Sequence, residues 1–221
     1  MKTLLETILS KKLFDPKAAI YNWLDEYGIK NYTLNDKGEI DVNGDVSLGM
    51  KKLKEFPSFI QFGIVKGSFY CSYSGLISLK GAPKKVKGDF HCYNNNLTTL
   101  EGAPIEVGKD FYCSASELTS LKGAPKKVGE NFYCHENKLT SLEGAPEKVG
   151  RSFLCYSNDL TSLKGAPREV ERDFDCSFNN LTTLEGSPER VKRDFYCRHN
   201  IAKFTVDDVN KVCIVRGVIS I

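Results

Sequence analysis

The sequence predicts an α/β protein built as a solenoid, in which short parallel strands stack turn upon turn. Three observations support this fold class. A phenylalanine and a cysteine, two positions apart, recur every 21 residues. Two leucines follow at fixed distances, and a Gly-x-Pro triplet then turns the chain in six copies. So strict a period is typical of repeat architectures, in which each unit stacks on its neighbours.

Each repeat contains a short strand with one buried face, because its phenylalanine and cysteine alternate with other residues. One such strand has too little core by itself, so neighbouring turns must bury one another. In-register strands lie about 4.8 Å apart, and like residues therefore form ladders through the interior. The predicted ladders are Phe69, Phe90, Phe111, Phe132, Phe153, Phe174 and Phe195, and Cys71, Cys92, Cys113, Cys134, Cys155, Cys176 and Cys197.

The repeat reads F-x-C-x-x-N-x-L-T-S-L, followed by G-A-P. It resembles the strand-and-turn half of a leucine-rich repeat, with cysteine in one apolar position, over about residues 46–204. The resemblance implies parallel strands on a concave face, irregular Gly-Pro return segments and asparagines that bind the backbone of neighbouring turns. The short return segments are similar to those of bacterial-type repeats and of 21-residue arrays in proteins of tailed bacteriophages. The asparagine position holds Asn95, Asn137, Asn158, Asn179 and Asn200, whereas Ser74 and Ser116 predict two looser turns.

The chain divides into three predicted parts: an N-terminal helical cap over 1–45, the solenoid over 46–204 and a C-terminal cap over 205–221. Two short helices are expected in the first part, over 2–13 and 16–28. Their apolar residues would cover the open end of the core. These residues are Leu4, Leu5, Ile8, Ile20, Trp23 and Leu24.

Both ends of the solenoid are expected to be atypical. Residues 44–59 predict a degenerate first turn, with apolar positions at Val46, Leu48, Leu53 and Phe56. The C-terminal cap is expected to hold a helix from about Thr205, a final strand and Cys213, the one cysteine out of phase.

The composition disfavours several functional classes. Lys plus Arg number 31 and Asp plus Glu number 28, which leaves a net charge of +3 and disfavours nucleic acid as a partner. No apolar run reaches the roughly 20 residues that span a bilayer, and the charged N-terminus does not fit a signal peptide. We expect a cytoplasmic protein with no membrane partner, located in the host bacterial cytoplasm if the phage resemblance holds.

The cysteine ladder predicts packing rather than chemistry. Parallel cysteines point the same way, which suits a disulfide poorly. A line of thiols does not converge into the tetrahedron that zinc requires, whereas buried free cysteine behaves as a small hydrophobe. We therefore expect reduced cysteines, no metal and no cofactor.

Two polar columns also recur. The aspartates Asp89, Asp110, Asp173 and Asp194 precede the phenylalanines, where capping of backbone amides is favoured over cation binding. The residue after the second leucine alternates in sign, so stacked neighbours attract one another weakly. That column is Lys80, Glu101, Lys122, Glu143, Lys164 and Glu185.

The outward positions of the predicted strands carry the candidate binding residues. Seven of the ten tyrosines and all three histidines fall on or beside this face, and Tyr and Arg are typical of interface hot spots. Aromatic residues also suit strands and stack along ladders, so a structural role is an open alternative. The predicted partner-binding residues are Tyr70, Tyr73, His91, Tyr93, Tyr112, Tyr133, His135, Tyr156, Phe178, Tyr196 and Arg198.

These patterns favour a non-enzymatic module whose concave sheet binds another protein. No nucleophile and base are matched, the histidines lie two or three repeats apart, and nucleotide-binding fingerprints are absent. The phage resemblance implies a bacterial host protein as the partner, bound and blocked. Two alternatives stay open: nucleotide or nucleic-acid binding through the same aromatic face, and a structural, virion-associated role.

Overall fold

The computed structural model describes residues 15–221 and shows a solenoid with two sheets of short strands. The predicted helix over 2–13, with Leu4, Leu5 and Ile8, lies outside the described residues. The solenoid fold predicted from the 21-residue period is confirmed.

The nine-stranded sheet contains the Phe-x-Cys segments. Its strands pair in parallel and in register, each residue with the residue 21 positions later from Phe69 to Tyr196. Its strands are β3 (Val46–Ser47), β5 (Phe69–Tyr70), β7 (Phe90–His91), β9 (Phe111–Tyr112), β11 (Phe132–Tyr133), β13 (Phe153–Leu154), β15 (Phe174–Asp175), β17 (Phe195–Tyr196) and β19 (Ile219–Ser220).

The ten-stranded sheet lies in the return segments, which the resemblance had implied to be irregular. Each repeat contributes two residues here, an outward one and a buried valine such as Val86 or Val128. All its pairs are parallel except the antiparallel pair β1–β2. Its strands are β1 (Tyr32–Leu34), β2 (Ile40–Val42), β4 (Phe62–Val65), β6 (Lys85–Val86), β8 (Glu106–Val107), β10 (Lys127–Val128), β12 (Lys148–Val149), β14 (Glu169–Val170), β16 (Arg190–Val191) and β18 (Ile214–Val215).

The core lies between the two sheets and consists of the predicted ladders. The phenylalanine rings from Phe69 to Phe195 have centroids 5.2–5.9 Å apart and are fully buried. The seven in-phase cysteines and Cys213 are buried and unbonded to one another. Burial raises the pKa of these thiols, to about 11 for Cys197 and Cys213, so they pack as neutral groups.

Backbone geometry explains the glycine of the return segment. Gly165 has φ +89°, a conformation that L side chains rarely adopt, and a Cβ there would meet the backbone of Leu142 and Glu143 in the preceding turn. The glycine therefore permits both the turn and the close approach of successive coils.

Buried asparagines connect the turns, as the resemblance implied. The Asn158 side chain donates to the carbonyl oxygens of Cys134 and Cys155, both at 3.1 Å, and accepts from the Leu139 amide at 3.0 Å. Where serine replaces asparagine, a hydroxyl makes fewer bonds: Ser74 Oγ donates to the Leu48 carbonyl at 2.8 Å. The looser packing predicted for the two turns with serine in this position stays a prediction.

A helix packs against the N-terminal end of the core. Helix α1 (Pro16–Glu26) begins after Asp15, whose side chain accepts from the amides of Lys17 and Ala18. Ile20, Trp23 and Leu24 are buried as predicted, and the Trp23 ring lies 6.2 Å from that of Phe62. The first turn also follows the prediction, with Val46, Leu48, Leu53 and Phe56 buried.

The C-terminal segment holds the expected helix and a second strand. Helix α2 (Val206–Val212) directly follows Thr205, the predicted start. Thr205 is its N-cap and forms a capping box with Asp208. Strands β18 and β19 then extend both sheets by one turn. The three-part division of the chain stays a prediction, although β1 and β2 already belong to the ten-stranded sheet. Neither helix within residues 15–221 has the length and apolarity needed to cross a membrane.

Candidate functional site

Two columns on the outward face of the nine-stranded sheet are poor in charge, beside the aspartate column that precedes the phenylalanines. Each of the two has seven residues, and these fourteen positions include one carboxylate and one guanidinium, in a chain that is 27% charged. The first column is Tyr70, His91, Tyr112, Tyr133, Leu154, Asp175 and Tyr196. The second column is Ser72, Tyr93, Ser114, His135, Tyr156, Ser177 and Arg198.

Four rings of the first column form a continuous stack. The ring centroids lie 4.7 Å apart from Tyr70 to His91, 4.4 Å from His91 to Tyr112 and 4.5 Å from Tyr112 to Tyr133. The in-register ladder causes this spacing, because each turn places its ring directly over that of the preceding turn. Ring faces thus pack on one another, and ring edges line the surface.

The second column extends the stack sideways. Tyr93 contacts His91 and Tyr112 edge to face at 6.0 and 6.3 Å. His135 contacts Tyr133 edge to face at 6.3 Å and stacks on Tyr156 at 4.3 Å. We call the contiguous set of Tyr70, His91, Tyr93, Tyr112, Tyr133, His135 and Tyr156 the aromatic ridge.

The ridge is half-buried, whereas the sequence had suggested an exposed column. Its rings cover one another, and some of its polar atoms bind neighbouring carboxylates. The Tyr112 hydroxyl donates to Asp110 at 2.9 Å. Burial, together with this carboxylate, raises the pKa of the Tyr112 phenol. Tyr112 therefore acts as a neutral group.

The two histidines of the ridge are held neutral. Burial lowers the pKa of His91 and of His135, although carboxylates beside each oppose the effect. His135 Nδ1 lies 3.4 Å from a Glu136 carboxylate oxygen but has no partner in hydrogen-bonding geometry within residues 15–221. The imidazoles contribute flat surface at neutral pH rather than charge.

A third column follows the strands and has an unusual backbone. Seven non-glycine residues, one in each turn, adopt positive φ of 47–56°. This conformation is rare for bulky residues, yet the column includes Tyr73 and Phe178, whose side chains are 51% and 54% exposed. Phe178 also stacks on His199 at 4.4 Å. Because each turn adopts this conformation at the same position, it belongs to the repeat rather than to one site.

Two shallow clefts flank the ridge. A cleft of about 290 Å³ lies at its N-terminal end, where Ser72 Oγ is buried without a hydrogen-bond partner in the described part of the chain. Its lining residues are Ser47, Gly49, Met50, Tyr70, Ser72, Tyr73, His91 and Tyr93. A cleft of about 300 Å³ lies at its C-terminal end, lined by Tyr156, Asp175, Ser177, Phe178, Tyr196 and Arg198.

The aspartate column caps backbone amides, as the sequence favoured. Asp89 accepts from the Asp110 amide at 3.1 Å, Asp110 from the Asn131 amide at 2.8 Å and Asp173 from the Asp194 amide at 3.3 Å. Over residues 15–221, no cluster of three His, Cys, Asp or Glu side chains is arranged to hold a metal ion.

The predicted site residues therefore fall into two connected groups. Seven of them form the aromatic ridge, and Tyr73 contacts it through Tyr93 at 5.4 Å. Phe178, Tyr196 and Arg198 lie with Tyr156 around the C-terminal cleft. Sequence reasoning missed Ser72, Asp175 and Ser177 as cleft residues. The available signal was serine or aspartate at positions where other turns carry an aromatic ring.

Comparison with known proteins gives no assignment: no family model, curated protein or solved structure matches the chain.

Proposed function

We propose that the protein is a non-enzymatic binding module that holds another protein on the aromatic ridge and its flanking clefts. The observation that carries this proposal is the contiguous, charge-poor aromatic surface on a protein otherwise rich in charge. Interface centres are depleted of Lys, Glu and Asp and enriched in Tyr, Phe and Arg. Truncation of such aromatics often removes much of the binding energy.

The stacking within the ridge favours protein over nucleic acid. Single-stranded nucleic acids are bound by ring faces that remain free to stack on bases. Here the faces of His91 and Tyr112 already pack between neighbouring rings. Edges and hydroxyls remain, and these suit the side chains and backbone of a polypeptide.

An enzymatic role has little support. The histidines of the ridge donate to and accept from no serine, threonine or cysteine side chain within residues 15–221. The thiols are buried with raised pKa values, which disfavours nucleophilic chemistry.

The identity of the partner rests on the repeat resemblance alone. If the leucine-rich-repeat and phage resemblances hold, the partner is a bacterial host protein that the module blocks in the cytoplasm. A structural, virion-associated role is the second candidate, in which the same face would contact another component of the particle.

The test compares two double variants, each with two alanine substitutions, in affinity capture from a bacterial lysate. Tyr112→Ala with Tyr133→Ala removes the centre of the ridge, whereas Lys126→Ala with Lys127→Ala alters the exposed face of the ten-stranded sheet. We expect the tyrosine pair to lose the protein that wild type captures, with at least about a thirtyfold loss in affinity. The lysine pair should retain it. The reverse pattern would place the binding face on the ten-stranded sheet.

A further inference from the structure

The second outward column carries serine between larger side chains at Ser114 and Ser177, and of these two serines Ser177 lines a cleft. Tyr156 precedes Ser177 by 21 residues and Arg198 follows it by 21, so these three residues occupy consecutive turns. Ser177 is 4% exposed, and its hydroxyl accepts from the Arg198 amide at 3.2 Å. It forms the floor of a slot, and the flat group that a ring would supply in this turn is missing.

The slot has room for one flat group. Tyr156 and Arg198 stand two turns apart, about 9.6 Å along the solenoid. A flat group midway would lie about 4.8 Å from each. Stacked ring centroids within the aromatic ridge lie 4.3–4.7 Å apart. An inserted ring would therefore continue the stack at close to its existing spacing.

The walls of the slot define the chemistry of the occupant. Asp175 keeps a carboxylate in the cleft while one of its oxygens accepts from the Ser177 amide at 2.9 Å. The Arg198 guanidinium lies 5.9 Å from the Tyr196 ring centroid and lines the opposite side. A cation at one wall favours an aromatic face, and a carboxylate favours a hydrogen-bond donor.

Phe178 supplies an exposed side wall. Its φ of 55° is shared by the equivalent residue of each turn and so belongs to the repeat, but the residue is more than half exposed and lines the cleft. An exposed apolar ring beside a cleft is explained if a partner covers it.

From these features we infer that the Ser177 slot accepts a single tyrosine or tryptophan side chain of the protein partner. The partner ring stacks between Tyr156 and Arg198, and its hydroxyl or indole N–H donates to Asp175. This inference rests on the proposed protein-binding function and names the anchor residue by which the partner is held.

Other occupants fit less well. An arginine side chain would stack on Tyr156 but would face the like charge of Arg198. A nucleobase would bring its phosphate close to Asp175 and to neighbouring Asp173 and Asp194, which repel it. An aliphatic side chain would offer Asp175 no donor beyond the Ser177 amide.

The experiment follows backbone amide signals of Ser177 and Arg198 in ¹⁵N-labelled full-length protein during titration with small probes. The probes are N-acetyl-tyrosinamide, N-acetyl-tryptophanamide, N-acetyl-leucinamide and uridine monophosphate. We expect saturable shifts with the two aromatic amides, which bind about three to ten times more tightly than the leucine amide. Equal binding of the leucine amide, tighter binding of the nucleotide, or no shift with any probe would overturn the inference.

Variants localise the effect. Ser177→Tyr fills the slot with a ring from the chain itself and should abolish the shifts. Ser177→Ala keeps the space and should retain binding within about threefold, which guards against loss of fold in the larger substitution. Ser114→Tyr makes the same change between Tyr93 and His135 and should leave probe binding at Ser177 intact. Shifts that survive Ser177→Tyr in a folded protein would overturn the inference.

The result can be separated from that of the proposed function. If the probes do not bind, yet the Tyr112 and Tyr133 pair still loses the captured protein, the ridge binds its partner without this anchor. If the probes bind while that pair retains capture, the slot is an aromatic site, and the ridge is not the binding face.

Discussion

The two sheets cover the same core but present opposite surfaces. In six successive repeats, the two positions after the proline on the ten-stranded side are charged in eleven of twelve cases, Ile105 being the exception. On the nine-stranded side, the fourteen positions of the two columns after the phenylalanines hold only Asp175 and Arg198 as charged residues, and the column before the phenylalanines adds four aspartates. Folding requires neither composition, because buried Phe, Cys, Leu and Val residues supply the core. The difference therefore points to what each surface contacts.

On the charged side, residues of neighbouring turns form ion pairs. Lys85 pairs with Glu106 at 3.0 Å and Arg168 with Glu189 at 2.7 Å. Of the alternating charge column, Lys122 pairs with Glu101 at 2.7 Å and Lys164 with Glu185 at 3.2 Å. Exposed pairs of this kind contribute about 0–1 kcal/mol each. They keep this side solvated, whereas stacked rings cover the aromatic side.

The largest expected effect comes from the core that both sides share. Phe132→Ala should reduce the free energy of unfolding by about 3–5 kcal/mol, because it opens a cavity in the continuous ring ladder. Urea denaturation measures this change. Lys127→Ala, on the exposed surface nearby, should stay within about 0.5 kcal/mol. A small loss for Phe132→Ala would mean that the two sheets do not depend on one core.

A smaller effect is expected for a single ring of the ridge. Tyr133→Ala should cost about 1 kcal/mol, since it removes the stack on Tyr112 and the edge contact with His135. Lys148→Ala, its counterpart on the charged side, is exposed and should cost close to nothing. Thermal and urea unfolding of the two variants give the comparison. A loss of about 3 kcal/mol or more for Tyr133→Ala would assign the ridge to structure rather than binding.

The smallest expected effect is a pH dependence confined to the aromatic side. Burial lowers the folded-state pKa of His91 and His135 below the unfolded value of about 6.5. The unfolded chain then binds more protons below that pH, so stability is full above it and falls as the pH decreases. The double variant His91→Tyr with His135→Tyr should flatten the slope of unfolding free energy against pH between about pH 6.5 and 5. Urea denaturation at several pH values measures this slope. An unchanged slope would show that carboxylates alone cause it.

The sequence could predict those parts of the fold in which a residue recurs because each turn needs it. Phe90, Cys92 and Leu97 recur because each turn must bury its own segment of core, and the aspartates recur because each caps the next amide. The ten-stranded sheet was missed because each of its strands in the repeats buries a single valine, without the alternation of buried Phe and Cys that marks the other sheet. The constant phase of Val86 and its equivalents was the available signal.

The sequence predicted which side of the solenoid carries the candidate site, but it did not predict where the clefts lie. Residues such as Tyr112 and Tyr156 could be assigned to one side by alternation alone. The clefts depend on where a ring is missing, as at Ser177, and on the backbone of the next residue, Phe178. That residue has positive φ in phase with six equivalent residues, and among these Asn94 has a local preference for this conformation.

The in-register ladder also makes the distance between the two clefts a whole number of repeats. Ser72 and Ser177 lie five repeats apart, about 24 Å at the spacing of parallel strands. Insertion or deletion of one 21-residue unit between them would change that span in steps of about 4.8 Å. The core would remain continuous, because each coil touches only its neighbours. Repeat number rather than side-chain chemistry therefore sets the separation of the two clefts.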